Sequence, residues 1–105
     1  MSTHAVLVTL KLSDDQFGGP DEMDSIHEMT DQMLDVIEEK GVGEFDGDEF
    51  GGGECVLFMY GPDADVLFAA IEPILRASRW AKGASVLKRY GEVDDPHARE
   101  VRMEL

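Results

Sequence analysis

Basic residues are scarce in this chain: 9 Lys and Arg stand against 23 Asp and Glu, for a formal charge of -14 and a sequence pI near 4.3. A surface of that sign repels phosphate backbones and anionic lipid, which argues against direct nucleic-acid binding and against a membrane-surface role. Cysteine is almost absent. With Cys55 alone, no internal disulfide can form and nothing in the cysteine usage calls for an oxidising compartment. Long hydrophobic runs are missing too, since no stretch approaches the ~20 apolar residues of a membrane helix. The first apolar run, in MSTHAVLVTLKL, has neither a basic segment before it nor a small-residue cleavage site after it. It reads as a strand, not a signal peptide, and the expected location is the cytoplasm.

What is present suits one domain, residues 1–105, in which 43% hydrophobic residues supply a single core. A chain this short is small for a deep, water-excluded cleft unless two copies assemble. The charge is uneven: residues 1–53 hold 2 basic and 14 acidic side chains (net -12), and residues 54–105 hold 7 and 9 (net -2). That asymmetry predicts an acidic face on one part of the fold, which also serves solubility.

Periodicity gives the order of elements. HAVLVTLKL, residues 4–12, puts Val6, Val8, Leu10 and Leu12 on one side of a strand and Ala5, Leu7, Thr9 and Lys11 on the other. After SDDQFGGP, Pro20 suits a first helical position, with Asp21 and Glu22 in the first turn. Met23, Ile26, Met29, Met33, Val36 and Ile37 then recur at spacings of three and four, and Gly41 stands where a left-handed cap belongs. GVGEFDGDEF reads as a glycine-interrupted strand, GGG as its turn, and ECVLFMY as a central strand apolar on both faces. GPD at 61–63 opens a second helix expected to run to Trp80 or Ala81, kinked between Ala69 and Glu72 by Pro73, with Gly83 as its stop. ASVLKRYG and AREVRMEL are strands joined by an EVDDPH loop.

The order βαββαββ predicts the α+β class. Specifically, it predicts a ferredoxin-like βαββαβ sandwich with an additional C-terminal strand, two helices on one face of an antiparallel sheet, and the first and third strands central. On the strand at 54–60, Glu54, Val56, Phe58 and Tyr60 oppose Cys55, Leu57 and Met59, so the face turned away from the helices is still largely apolar. Its cover is expected to be a second subunit packed sheet to sheet, a ligand, or the C-terminal hairpin folding across.

Candidate chemistry concentrates in GEFDGDEFGGGE, residues 43–54, with five carboxylates and five glycines in twelve positions. A hard cation wants several carboxylate oxygens from a turning loop, but these acids lack the alternate-position ladder of a calcium loop. Gly51, Gly52 and Gly53 precede a strand, with no lysine or Ser/Thr to finish a phosphate loop. A bent acidic hairpin remains, and no metal or cofactor is expected. Cys55 reads as a small core residue and not a nucleophile. His4, His27 and His97 lack a metal-ligand spacing, and His27 sits between Asp24 and Asp31 as a helix-surface charge partner. No catalytic residue is assigned. Arg76, Arg79, Lys82, Lys88 and Arg89 form the basic cluster, with Trp80 beside them as a packing residue or partner anchor.

The stretch GEFDGDEFGGGECVLFMYGPDADVLFAAIEPILRAS resembles small acidic bacterial proteins of uncharacterised function. More broadly, an acidic α+β domain of this size is similar to bacterial inhibitors such as the regulators of ribonuclease E activity and to the immunity proteins of toxin systems. The resemblance implies an inhibitor-like role and carries over no functional residue. The expected function is a non-enzymatic binding or regulatory protein, with Glu44, Asp46, Asp48 and Glu49 meeting a basic partner and a homodimer forming through the sheet face. The competing expectation is a small-ligand protein or enzyme whose site lies at a homodimer interface, lined by Tyr60, Tyr90 and the hairpin acids.

Overall fold

Alternation in the first apolar segment becomes a strand because every second side chain has a core to enter. In the computed structural model, which describes residues 3–12, 20–92 and 95–105, β1 spans His4–Lys11 with Val6, Val8 and Leu10 fully buried. The loop expected at 13–19, part of the one at 92–97, and the side chains of Pro20 and Asp21 lie outside the described residues. The further elements are α1 (Pro20–Lys40), β2 (Glu44–Gly51), β3 (Glu54–Gly61), α2 (Ala64–Ala77), a one-turn 3-10 helix (Arg79–Ala81), β4 (Ser85–Tyr90) and β5 (Arg99–Glu104). They form an α+β domain: a five-stranded, all-antiparallel sheet in the order β2-β3-β1-β4-β5, with two helices. Among the described residues no helix is long and apolar enough to cross a membrane.

The helices cover the face that carries Val6, Val8 and Leu10 of β1, Cys55, Leu57 and Met59 of β3, and Val86 of β4. From α1, Ile26, Met29, Met33 and Ile37 enter this core, and from α2, Leu67, Phe68, Ile71 and Leu75. Each side chain of this kind contributes roughly 1.5–3 kcal/mol when fully buried. Helix α1 ends at Gly41, whose φ of 61° is costly for any residue with a Cβ. The chain then turns tightly into β2, and here two glycines are needed. A Cβ on Gly43 would strike the Tyr60 carbonyl oxygen, and one on Gly61 the Val42 carbonyl oxygen.

Asp63 caps α2 from an extended conformation, and its carboxylate accepts from the N–H groups of Asp65 (2.9 Å) and Val66 (3.3 Å). Pro62 therefore precedes the cap, two positions earlier relative to its helix than Pro20, the first residue of α1. The helix also stops sooner than Trp80. Pro73 lies inside it, and Ser78 leaves helical geometry at φ -98°, ψ 128°. The Ser78 N–H closes the last turn on Leu75, and its hydroxyl accepts from the Trp80 N–H (3.2 Å) to start the separate 3-10 turn. A serine able to cap a new turn has overridden the apolar periodicity.

Register places the residues of the other face in rows. One row reads Glu44, Tyr60, Ala5, Arg89, Glu100 from β2 to β5; the next reads Gly47, Phe58, Leu7, Leu87, Arg102; the third reads Glu49, Val56, Thr9, Ser85, Glu104. Strand β5 extends the sheet beyond β4 and does not fold across this face, contrary to one of the three covers considered for it. Among the described residues neither helix lies over it.

Candidate functional site

Glu44, Asp46, Asp48 and Glu49 all sit on β2, at the edge of the sheet, and all four are exposed. They do not share one face. The register shifts between Phe45 and Gly47, so Asp46 lies in a bulge, Glu44 and Glu49 align with the open face, and Asp48 aligns with the helix-covered face beside Leu57. The bulge resets the alternation so that Phe45 and Phe50, five residues apart, both reach the core. None of the four carboxylates has a cationic partner among the described residues. Next to β2, α1 turns Asp31, Asp35, Glu38 and Glu39 to solvent. His27 stands edge-on to Phe50, ring centres 5.7 Å apart, so it bridges α1 to β2 through an aromatic contact instead of an aspartate.

On the opposite flank one carboxylate is shared by two side chains. Tyr90 donates its hydroxyl to Asp65 (2.6 Å), and Lys88 donates to the same carboxylate oxygen (3.2 Å) while standing over the Phe68 ring. The Tyr90 bond first, and Lys88 next, hold the Asp65 carboxyl below its ordinary value, and the same bond raises the Tyr90 phenol above its own. His4 stands edge-on to Tyr90 and accepts the Ala64 N–H at Nδ1 (3.0 Å), so that nitrogen carries no proton and Nε2 does. This Asp65, Tyr90, Lys88 and His4 group escaped the sequence reading. The available signals were the GPDAD cap, which starts α2 beside β1, and the alternation that puts Lys88 and Tyr90 on the side of Val86.

That alternation also divides the supposed basic cluster. Lys88 faces α2, whereas Arg89 turns to the open face, pairs with Glu100 (2.9 Å) and donates to the carbonyls of Glu92 (3.0 Å) and Asp95 (2.6 Å). Arg76 is held by Glu72 one turn earlier, and Arg79 lies flat over Trp80 at 4.4 Å. Trp80 is half-buried against the core. Arg76, Arg79 and Lys82 rim an open depression of about 370 Å³ floored by Leu75, Ala81 and Leu105. Within one chain Tyr60 and Tyr90 do not share a pocket, because the register sends Tyr60 to the open face and Tyr90 to the helix-covered one.

Cys55 is fully buried on β3, and burial, assisted by the Asp48 carboxylate, pushes its thiol up to about 12. A thiol so far from ionisation is a packing group at neutral pH. With this geometry in hand, neither a protein family, nor a curated protein, nor a solved structure matches the chain.

Proposed function

We propose that this protein is a non-enzymatic binding or regulatory protein, inhibitor-like in the way it works, that meets a basic partner through the flank built by β2 and α1. The observation that carries the reading is the contrast in charge satisfaction. Glu44, Asp46, Asp48 and Glu49 are exposed without cationic partners, while Asp65 and Glu100 on the other flank are paired. Unpaired carboxylates on a rigid edge raise the encounter rate with a positively charged surface and are not first released from internal pairs. The protein works in the cytoplasm, and its fold is read as a ferredoxin-like core, β4-β1-β3-β2, with β5 appended; the strand order supports that reading.

The test is affinity capture at low and high salt with the wild-type chain and with a variant carrying Glu44→Gln, Asp46→Asn, Asp48→Asn and Glu49→Gln. The expected result is a basic protein retained by the wild type at low salt, released as the Debye length shrinks below ~10 Å, and not retained by the variant. Equal retention by both chains would sink the proposal.

A further inference from the structure

Three of the chain's nine basic residues, Arg76, Arg79 and Lys82, surround one depression of about 370 Å³, within the ~300–1,000 Å³ range of small-molecule sites. Among the described residues no Asp or Glu lines it, although acids outnumber bases by 23 to 9 overall. The dipole of α2 accounts for Arg76, which lies in its last turn. It does not account for the other two. The helix ends at Ala77, so Arg79 and Lys82 stand beyond it, on and just after the separate 3-10 turn. Arg76 is also engaged by Glu72, one of whose oxygens accepts from Nε and a terminal guanidinium nitrogen, both at 2.9 Å. The Arg79 guanidinium lies over the Trp80 ring, which fixes its plane and leaves its N–H edge open. Neither Arg79 nor Lys82 has an ion pair among the described residues.

A helix C-terminus ordinarily repels an anion through its outward carbonyls. Here four carbonyls of the lining are engaged, because the N–H groups of Ser78, Ala81, Lys82 and Ala84 donate to Leu75, Ser78, Arg79 and Ala81 at 3.0–3.3 Å. The Leu105 carbonyl oxygen accepts from the Gly83 N–H (3.1 Å), and no ion pair among the described residues joins Leu105 to the three cations. The apolar lining is aliphatic, and exposed Ala77 and half-buried Leu105 are the parts of it that a ligand can reach. The neighbouring depression, which shares Arg79, is lined by Glu28 and Gln32 and sets a carboxylate against its one cation. Anion preference therefore belongs to the first depression alone of the two.

We propose that this depression binds a monoanionic carboxylate with a short aliphatic body. The Arg79 fork takes the two carboxylate oxygens and Lys82 adds a second positive charge beside them. The aliphatic body lies against Ala77, Leu105 and the methylene stems of Arg76 and Lys82. The overall charge of -14 selects one negative charge over several, since every further charge on a ligand adds repulsion from the whole molecule while two cations remain to meet it. The inference goes beyond the basic-partner reading and does not rest on it.

The probe is octanoate, titrated at neutral pH into the isotope-labelled full chain while the backbone amide signals are followed by nuclear magnetic resonance. Saturable shifts should centre on the amides of Arg79, Lys82 and Leu105. Octanol, which lacks the charge, and acetate, which lacks the body, should each bind at least about tenfold more weakly. Lys82→Glu and Arg79→Gln, both at exposed positions, should each weaken octanoate by about tenfold with unchanged far-ultraviolet circular dichroism. Ala77→Asp, also exposed, should do the same by placing a carboxylate in the lining. The variant with all four β2 carboxylates neutralised should bind octanoate as the wild type does, which separates this site from the flank that meets a basic partner. Absence of saturable shifts overturns the proposal, as does octanol binding as tightly as octanoate. So do shifts centred on the open sheet face around Leu7 and Phe58, and so does an affinity that neither Lys82→Glu nor Arg79→Gln changes.

Discussion

The two flanks of the sheet use charge in opposite ways. On the α2, β4 and β5 side, Asp65 is shared by Tyr90 and Lys88, and Arg89 ties Glu100 to the loop that follows β4. On the α1 and β2 side, Glu22 is buried and engaged, but Asp31, Asp35, Glu38 and Glu39 of α1 and the four carboxylates of β2 are exposed without an ion pair among the described residues. The overall charge of -14 is thus not a uniform coat. The ion pairs of Asp65 with Lys88 and of Glu100 with Arg89 lie on one flank, whereas the four β2 carboxylates on the other have none among the described residues.

That contrast is breakable by substitution, and the largest change in stability is expected at Arg89. Arg89→Ala removes an ion pair and the hydrogen bonds to two carbonyls at once, and charge-assisted hydrogen bonds contribute roughly 1.5–3 kcal/mol. Urea denaturation should show a midpoint lowered accordingly, with an unchanged slope. Next is the cap: Asp63→Ala leaves the Asp65 and Val66 N–H groups without their acceptor and should cost about 1 kcal/mol. Asp63→Asn should recover most of it, because a capping amide oxygen still accepts.

A smaller effect sharpens the comparison through pH. The depressed Asp65 carboxyl contributes stability above the unfolded value of 3.8, and that contribution is lost as pH falls through the still lower folded value. The raised Tyr90 phenol contributes below 10.0 and loses its contribution as pH rises through the folded value above that. The group therefore supports the fold between acid and alkaline limits. Asp65→Asn should return the Tyr90 ionisation, followed by ultraviolet absorbance, toward 10.0. A Tyr90 titration unmoved by Asp65→Asn would show that the pair does not hold in solution.

Much of this architecture was legible in the sequence because it rests on short-range physics. Period-two alternation located β1, β4 and β5, and a run apolar on both faces located β3. Spacings of three and four located the buried stripe of α1, and Gly41 marked its end. The end of α2 was not legible, since Ser78 competes as a cap only once its hydroxyl finds the Trp80 N–H. The candidate site was read less well. Position in the sequence put Glu44, Asp46, Asp48 and Glu49 together correctly on one strand, but the bulge at Asp46 that divides them between two faces depends on how Phe45 and Phe50 both reach the core. Tyr60 and Tyr90, and likewise Lys88 and Arg89, were grouped by proximity along the chain or by chemistry. Sheet register separates both pairs, and register is a long-range property fixed by which strands become neighbours.

The most direct test of the account joins binding to stability in one variant. With Glu44→Gln, Asp46→Asn, Asp48→Asn and Glu49→Gln together, affinity for the captured basic partner should fall by about tenfold or more. Thermal unfolding of the same chain should change by no more than about 0.5 kcal/mol, as for surface positions that make no internal contacts. Unchanged affinity, or a domain that unfolds when these four charges are removed, would contradict the claim that this flank is held free for a partner.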